Sequence, residues 1–167
     1  MFVVYQALPD SMVPDRNNDL IFEDIGYVFA ANMIFNGLWL VIFQTNTVIG
    51  FTLGALVIAG ILSTDLYMMM KSTRTPVNIY EWISMRGGFS IYSGWVSAAT
   101  ILNVSYMLKS YGLEDGNIPW FTEETAGVAI LYVAFAIYNV AAYSERNPLY
   151  GSVLIYVTYA IYDNIVN

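Results

Sequence analysis

The chain has 167 residues, 57% hydrophobic and 11% charged, with a net charge of −7 and neither cysteine nor histidine. The missing residue types exclude disulfides, thiolate metal sites, histidine-ligated haem and histidine or cysteine catalysis, and the acidic balance argues against a nucleic-acid surface or a polybasic lipid patch. A soluble domain carries about a quarter of its residues as charges. The shortage here is concentrated in long apolar runs, so an all-α integral membrane protein, a bundle of about five transmembrane helices, is expected.

Residues 1–25 are read as a polar N-terminal segment. After "MFVVYQAL" come Asp10, Asp15, Asp19, Glu23 and Asp24 against a lone Arg16. The start has no basic region, and Pro9 with Asp10 ends its apolar run, so no cleavable targeting signal is expected. Residues 26–167 form the membrane domain. Its first span is expected at 26–45 and its second at 47–70, with a tight turn at Asn46 between them. The second stops at Lys71 and Arg74. The loop 71–87 contains Pro76 and room for a short interfacial helix near Tyr80–Met85. A third span follows at 88–109, then the polar loop "EDGNIPW", a fourth span at 122–143, the connection "SERNP" and a fifth span at 149–166, weakened by Asp163 and Asn164.

Five spans place the two termini on opposite sides. Arg16, Lys71, Arg74, Arg86 and Arg146 then share the N-terminal side and Lys109 lies on the other. The excess of Lys and Arg assigns the N-terminal side to the cytoplasm or mitochondrial matrix.

Inside the spans, polar and aromatic residues recur at helical spacing. Asn36, Trp39 and Phe43 stand at i, i+3 and i+7, and Tyr92, Trp95, Ala99, Leu102 and Tyr106 share a face of the third span, which also carries Asn103. Asn36, Trp39, Trp95 and Asn103 are therefore expected to face the interior of one bundle. Two roles fit: cross-helix hydrogen bonding with aromatic packing, or an aromatic-lined pocket for a flat apolar ligand. Gly50 and Gly54, and likewise Gly94 and Ala98, have the small-residue spacing that lets helix backbones approach. Val104, Tyr106 and Lys109 match a sterol-contact pattern whose plainer meaning is an interfacial Tyr and a snorkelling Lys. Asp65 is the one carboxylate more than a turn from the end of a span, and so the candidate for a place inside the membrane. The apolar run Val48–Thr64 nearly crosses the core by itself, which puts Asp65 at the interface.

The motifs "FNGLWLVIF" and "IYSGWVSAATILN" resemble those of the TspO/translocator family of tryptophan-rich sensory proteins, especially its longer, divergent members. The resemblance covers about residues 27–109. It implies a TspO-like arrangement of the first three spans and, for Asn36, Trp39, Phe43, Tyr92, Trp95, Ala99 and Asn103, a place in the family's tetrapyrrole- and sterol-binding pocket. Phe35 stands where the family has Leu, and Ile91 where it has Pro. "MFVVYQALP" is similar to the tail of an earlier family span. Two spans and the pocket lid are thus expected to be missing, residues 1–8 to pack although too short to span, and the last two spans to be additions. The reading that follows is a non-catalytic accessory subunit of a larger membrane complex, of the respiratory-chain type in the mitochondrial inner membrane. It is expected to be no enzyme, to hold no cofactor or metal, and to have other membrane subunits and lipids as its partners. The alternative is a free-standing binder of tetrapyrrole or sterol.

Overall fold

The computed structural model describes residues 2–112 and 123–166; the "EDGNIPW" loop lies outside them. Among the described residues all regular structure is helical. A short α1 (Phe2–Ala7) is followed by α2 (Gly26–Phe43), α3 (Val48–Arg74), a single turn α4 (Ile79–Glu81), α5 (Gly88–Ser110), α6 (Glu123–Ser144) and α7 (Pro148–Val166).

The first long helix begins well before the expected boundary at residue 26. A π-helical segment, Asp19–Ile25, runs straight into α2. Its i→i+5 periodicity aligns Leu20 with Ile25, Ile21 stands four residues before Ile25, and all three are buried. Between them Glu23 stays exposed, while Asp24 is half-buried and pairs with Lys71. A sequence that counts as polar thus folds as the amphipathic start of a 25-residue helix. The rest of the polar segment is tied down by Arg16. Its guanidinium accepts no exposure to speak of and donates to the carbonyls of Gln6 (3.2 Å) and Leu8 (2.7 Å), closing the end of α1, and to the side chains of Asn18 and Asp10. Phe2 and Tyr5 are buried, and Phe2 packs edge-on to Phe29 and against Phe89. Of the N-terminal residues expected to pack, Phe2 and Tyr5 are buried and Leu8 packs beside them, whereas Val3 and Val4 are exposed.

Several helix ends have a chemical stop. Thr47 caps α3 by accepting from the Gly50 amide at 3.0 Å, after the turn at Asn46, whose φ is 50°. The helix α3 continues to Arg74, past the expected end at 70, because Arg86 reaches back to the carbonyls of Ser72, Thr73 and Thr75 at 2.8–3.0 Å. Asn78 and Glu81 form a reciprocal capping box, and α4, the π-helical segment Trp82–Gly87 and α5 follow as one helical run. The anticipated short interfacial helix is therefore the first turns of the third span. Asn147 caps α7 through the Tyr150 amide, with Pro148 in the first helical position.

At 25 and 27 residues, the runs Asp19–Phe43 and Val48–Arg74 are long and apolar enough to cross a membrane, reaching about 38 and 40 Å against a core of about 30 Å. The helix α3 lies between α2 and α5, and the α6–α7 hairpin packs on the opposite face of α5. Serine and glycine on that second face make the approach possible. Ser97 shares a hydrogen bond with the Tyr150 hydroxyl (2.8 Å), Asn147 donates to Ser90 (2.7 Å), and the Tyr138 hydroxyl donates to the Gly94 carbonyl.

Candidate functional site

Three stripes of residues meet along the axis of the α2–α3–α5 trio. They are Asn32, Asn36, Trp39 and Phe43 on α2; Gly54, Ile58, Ile61 and Asp65 on α3; and Tyr92, Val96, Ala99 and Asn103 on α5. In every stripe the steps are four, three and four residues, which keeps each stripe on one helical face. Because α3 runs against the other two, its last member meets their first, and the contacts fall into levels.

At the level nearest α1, the Asn32 amide donates to the Ile61 carbonyl (3.1 Å), Thr64 Oγ1 (2.8 Å) and Asp65 Oδ1 (3.2 Å). Asn32 and Asp65 are both fully buried, so the carboxyl that the sequence alone suggested would sit at an interface is enclosed between α2 and α3. It sits about 14 Å short of the end of α3, counting 1.5 Å per residue to Arg74. One turn along, the Asn36 amide donates to the Tyr92 hydroxyl. At the next level the Trp39 indole N–H donates to Asn103 Oδ1 at 3.0 Å, and the Asn103 amide donates to the Ala99 carbonyl at 2.9 Å. The far end is aromatic. Phe43 stacks on Trp39 with centroids 5.3 Å apart and meets Phe51 and Tyr106 edge-on. Phe51 and Tyr106 stack in turn.

Six of the seven residues expected to line a pocket are brought together here: Asn36, Trp39, Phe43, Tyr92, Ala99 and Asn103. Trp95 is not. It is 44% exposed and rests edge-on against Tyr156 of α7, so the expected shared face with Trp39 is corrected. At about 100° per residue, Trp95 lies about 70° to one side of the mean direction of Tyr92, Val96, Ala99 and Asn103, which turns the indole out of the seam toward the flank that α7 covers. Two clefts, of about 240 and 530 Å³, lie elsewhere. The smaller is lined by Tyr5, Pro14 and Tyr80 among others, the larger by Met69, Met70 and Val140 of α3 and α6.

The small residues pack within the chain. A Cβ on Gly50 would fall 1.9 Å from Thr45 Oγ1, at the turn between α2 and α3. Gly54 faces Phe43 and Asn103 at ordinary contact distance. Gly94 lies under Val153 and Tyr150 of α7, and Ala98, one turn on, is buried. Of the sterol-pattern residues, Tyr106 belongs to the aromatic cluster, while Val104 and Lys109 lie exposed along the outer end of α5.

Two residues of consequence had a legible signal that went unread. Asn32 stands four residues before Asn36, on the same helical face. Glu81 completes the capping pattern N-x-x-E after Pro76. It is buried, and it accepts from the Asn17 amide at 2.6 Å, the Asn78 amide at 3.1 Å and the Tyr5 hydroxyl at 3.3 Å. Among the described residues no three Asp or Glu side chains gather as metal ligands would.

Apolar length, the helical stack and a seam of Asn, Trp and Tyr define an integral membrane helical bundle. The sequence model of the family described as TSPO-like protein matches residues 1–165, and the chain belongs to that family. The match takes in α1, α6 and most of α7, well beyond the two motifs at 27–109. No curated protein and no solved structure matches the chain.

Proposed function

We propose that this TSPO-like membrane protein is a non-catalytic accessory subunit of a larger membrane complex, of the respiratory-chain type in the mitochondrial inner membrane. The observation that carries the reading is the self-satisfaction of the upper seam. Asn36 bonds Tyr92, and Trp39 bonds Asn103, so the polar atoms that would orient a ligand hold helices together instead. Bonds of this kind average about 0.6 kcal/mol each in membranes. A second support is the outer face of α2, where Tyr27, Ile34 and Val41 are 85%, 63% and 71% exposed. Such a face suits a neighbouring subunit and its annular lipid. Arg16, Lys71, Arg74, Arg86 and Arg146 all lie at the α1 end of the bundle by helix direction, and the positive-inside rule assigns that end to the matrix side.

The alternative, a free-standing binder of tetrapyrrole or sterol, draws on the aromatic cluster of Trp39, Phe43, Phe51 and half-exposed Tyr106. Extraction in mild detergent followed by native electrophoresis separates the two. The subunit reading expects stoichiometric migration with a larger assembly and no saturable porphyrin binding. A stable monomer or dimer that binds porphyrin would replace it with the alternative. Organelle fractionation tests the membrane assignment separately.

A further inference from the structure

The lowest level of the seam has a hydrogen-bond inventory that does not balance. Asp65 and Asn32 are each fully buried. The Asn32 amide nitrogen serves three acceptors, yet Asn32 Oδ1 and Asp65 Oδ2 have no partner. Both orphans are acceptors, and an ionised carboxylate offers about four lone-pair sites, of which one is used. Turning the Asn32 amide over does not repair this, because its oxygen would then face the Ile61 carbonyl at 3.1 Å.

Among the described residues no cation pairs with Asp65. Lys71, further along α3, pairs with Asp24 of the segment leading into α2 at 2.8 Å. Arg86 is committed to the carbonyls that end α3. From α5, the titratable group facing Asp65 is the Tyr92 hydroxyl, which accepts from Asn36. From α2 the facing group is Asn32 itself, and α3 adds the hydroxyl of Thr64, which donates to its own backbone. An unpaired charge in such surroundings is costly.

We propose that Asp65 carries a proton on Oδ2 and forms a cyclic acid–amide pair with Asn32, a proton-binding site buried between α2 and α3. One proton supplies the donor that both orphan oxygens lack. The Asn32 N–H donates to Asp65 Oδ1, and the Asp65 O–H donates to Asn32 Oδ1. The ligand is the proton, and its consequence is that the α2–α3 seam depends on pH. Without that proton Asp65 Oδ2 and Asn32 Oδ1 are two acceptors with no donor between them, so the ring opens at alkaline pH. The site stands or falls independently of the subunit reading.

Infrared difference spectroscopy on the full chain in lipid nanodiscs tests it. At neutral pH the wild type should show a carboxylic C=O band that shifts in D2O, is absent from Asp65→Asn and moves in Asn32→Leu. The Asp65→Asn amide completes the same ring with no titrating proton, so its thermal stability should stay flat from neutral to alkaline pH while that of the wild type falls. A carboxylate band removed by Asp65→Asn, with no carboxylic band in the wild type, overturns the proposal. If Asp65→Asn does not assemble, dicyclohexylcarbodiimide labelling of the wild type decides. This reagent adds to protonated buried acids, so an adduct at Asp65 that disappears at alkaline pH is expected, and no adduct at any pH overturns the site.

Discussion

Trp39 and Trp95 occupy equivalent places in two similar motifs, yet only Trp39 points into the bundle. Its N–H is the donor for Asn103 Oδ1, so Trp39→Phe leaves a buried oxygen unpaired. The expected loss is about 0.6–1.7 kcal/mol, read as a lower midpoint in detergent unfolding. Trp95→Phe keeps the ring against Tyr156 at an exposed site and should stay within about 0.5 kcal/mol of the parent. Equal losses for the two would contradict the geometry. Glu81 is the other residue with an uneven share of the structure, because one carboxylate holds α1, the Asn17 turn and the start of α4 together. Replacing it by Ala strands donors that it satisfies, at about 1–3 kcal/mol. Limited proteolysis should then cut residues 8–17 faster, with Glu81→Gln intermediate because one good acceptor remains. Unchanged cleavage in Glu81→Ala would show that α1 is held without Glu81, by Phe2, Tyr5 and Arg16.

Among the elements, the contact of α5 with α7 has the least room. A Cβ on Gly94 would lie 2.7 and 2.8 Å from two Val153 carbons and 3.1 Å from the Tyr150 carbonyl. Gly94→Ala should therefore cost about 1–3 kcal/mol through overpacking, and Val153→Ala in the same chain should recover most of it. Gly54→Ala meets Phe43 and Asn103 at 3.5 and 3.6 Å and should be close to neutral. Thermal unfolding of the four chains checks both statements. The long helices were legible because apolar length is a strong signal, and the α2 stripe was legible because Asn36, Trp39 and Phe43 keep helical spacing. Three features were not. The π-helical start of α2 was hidden because Asp19, Glu23 and Asp24 made the segment count as polar beside Leu20, Ile21 and Ile25. Asp65 reads as interfacial along α3 alone, since only the neighbouring Asn32 and Tyr92 reveal its burial. Trp95 shares its stripe with Tyr92 on a wheel, but α5 is packed on two sides, and which flank is filled by α7 is a tertiary fact.

At the scale of the whole molecule, the seam is closed from within while the outside of α2 is left apolar and uncovered. Tyr27, Ile34, Leu38 and Val41 are exposed there, and Gly37 has open space around it. Salt bridges join the elements at the α1 end: Lys71 with Asp24, and Arg74 with Glu145 at 2.5 Å. Their exposed members give them small value as stability, but they fix the register of α3 against its neighbours at the end where five cations collect. If that end faces the matrix, a protease added to mitochondria stripped of their outer membrane should leave the 75–79 connection intact and should cut it once the inner membrane is opened. Cutting in the closed state would reverse the orientation. The subunit reading makes a sharper demand on α2. A photo-crosslinking amino acid placed at Ile34, with the chain at native abundance in its own membrane, measures what covers that face. The account predicts one discrete polypeptide adduct, in a fixed ratio to the chain and migrating with a large assembly. Adducts to lipid alone, on a chain that migrates as a monomer, would contradict it.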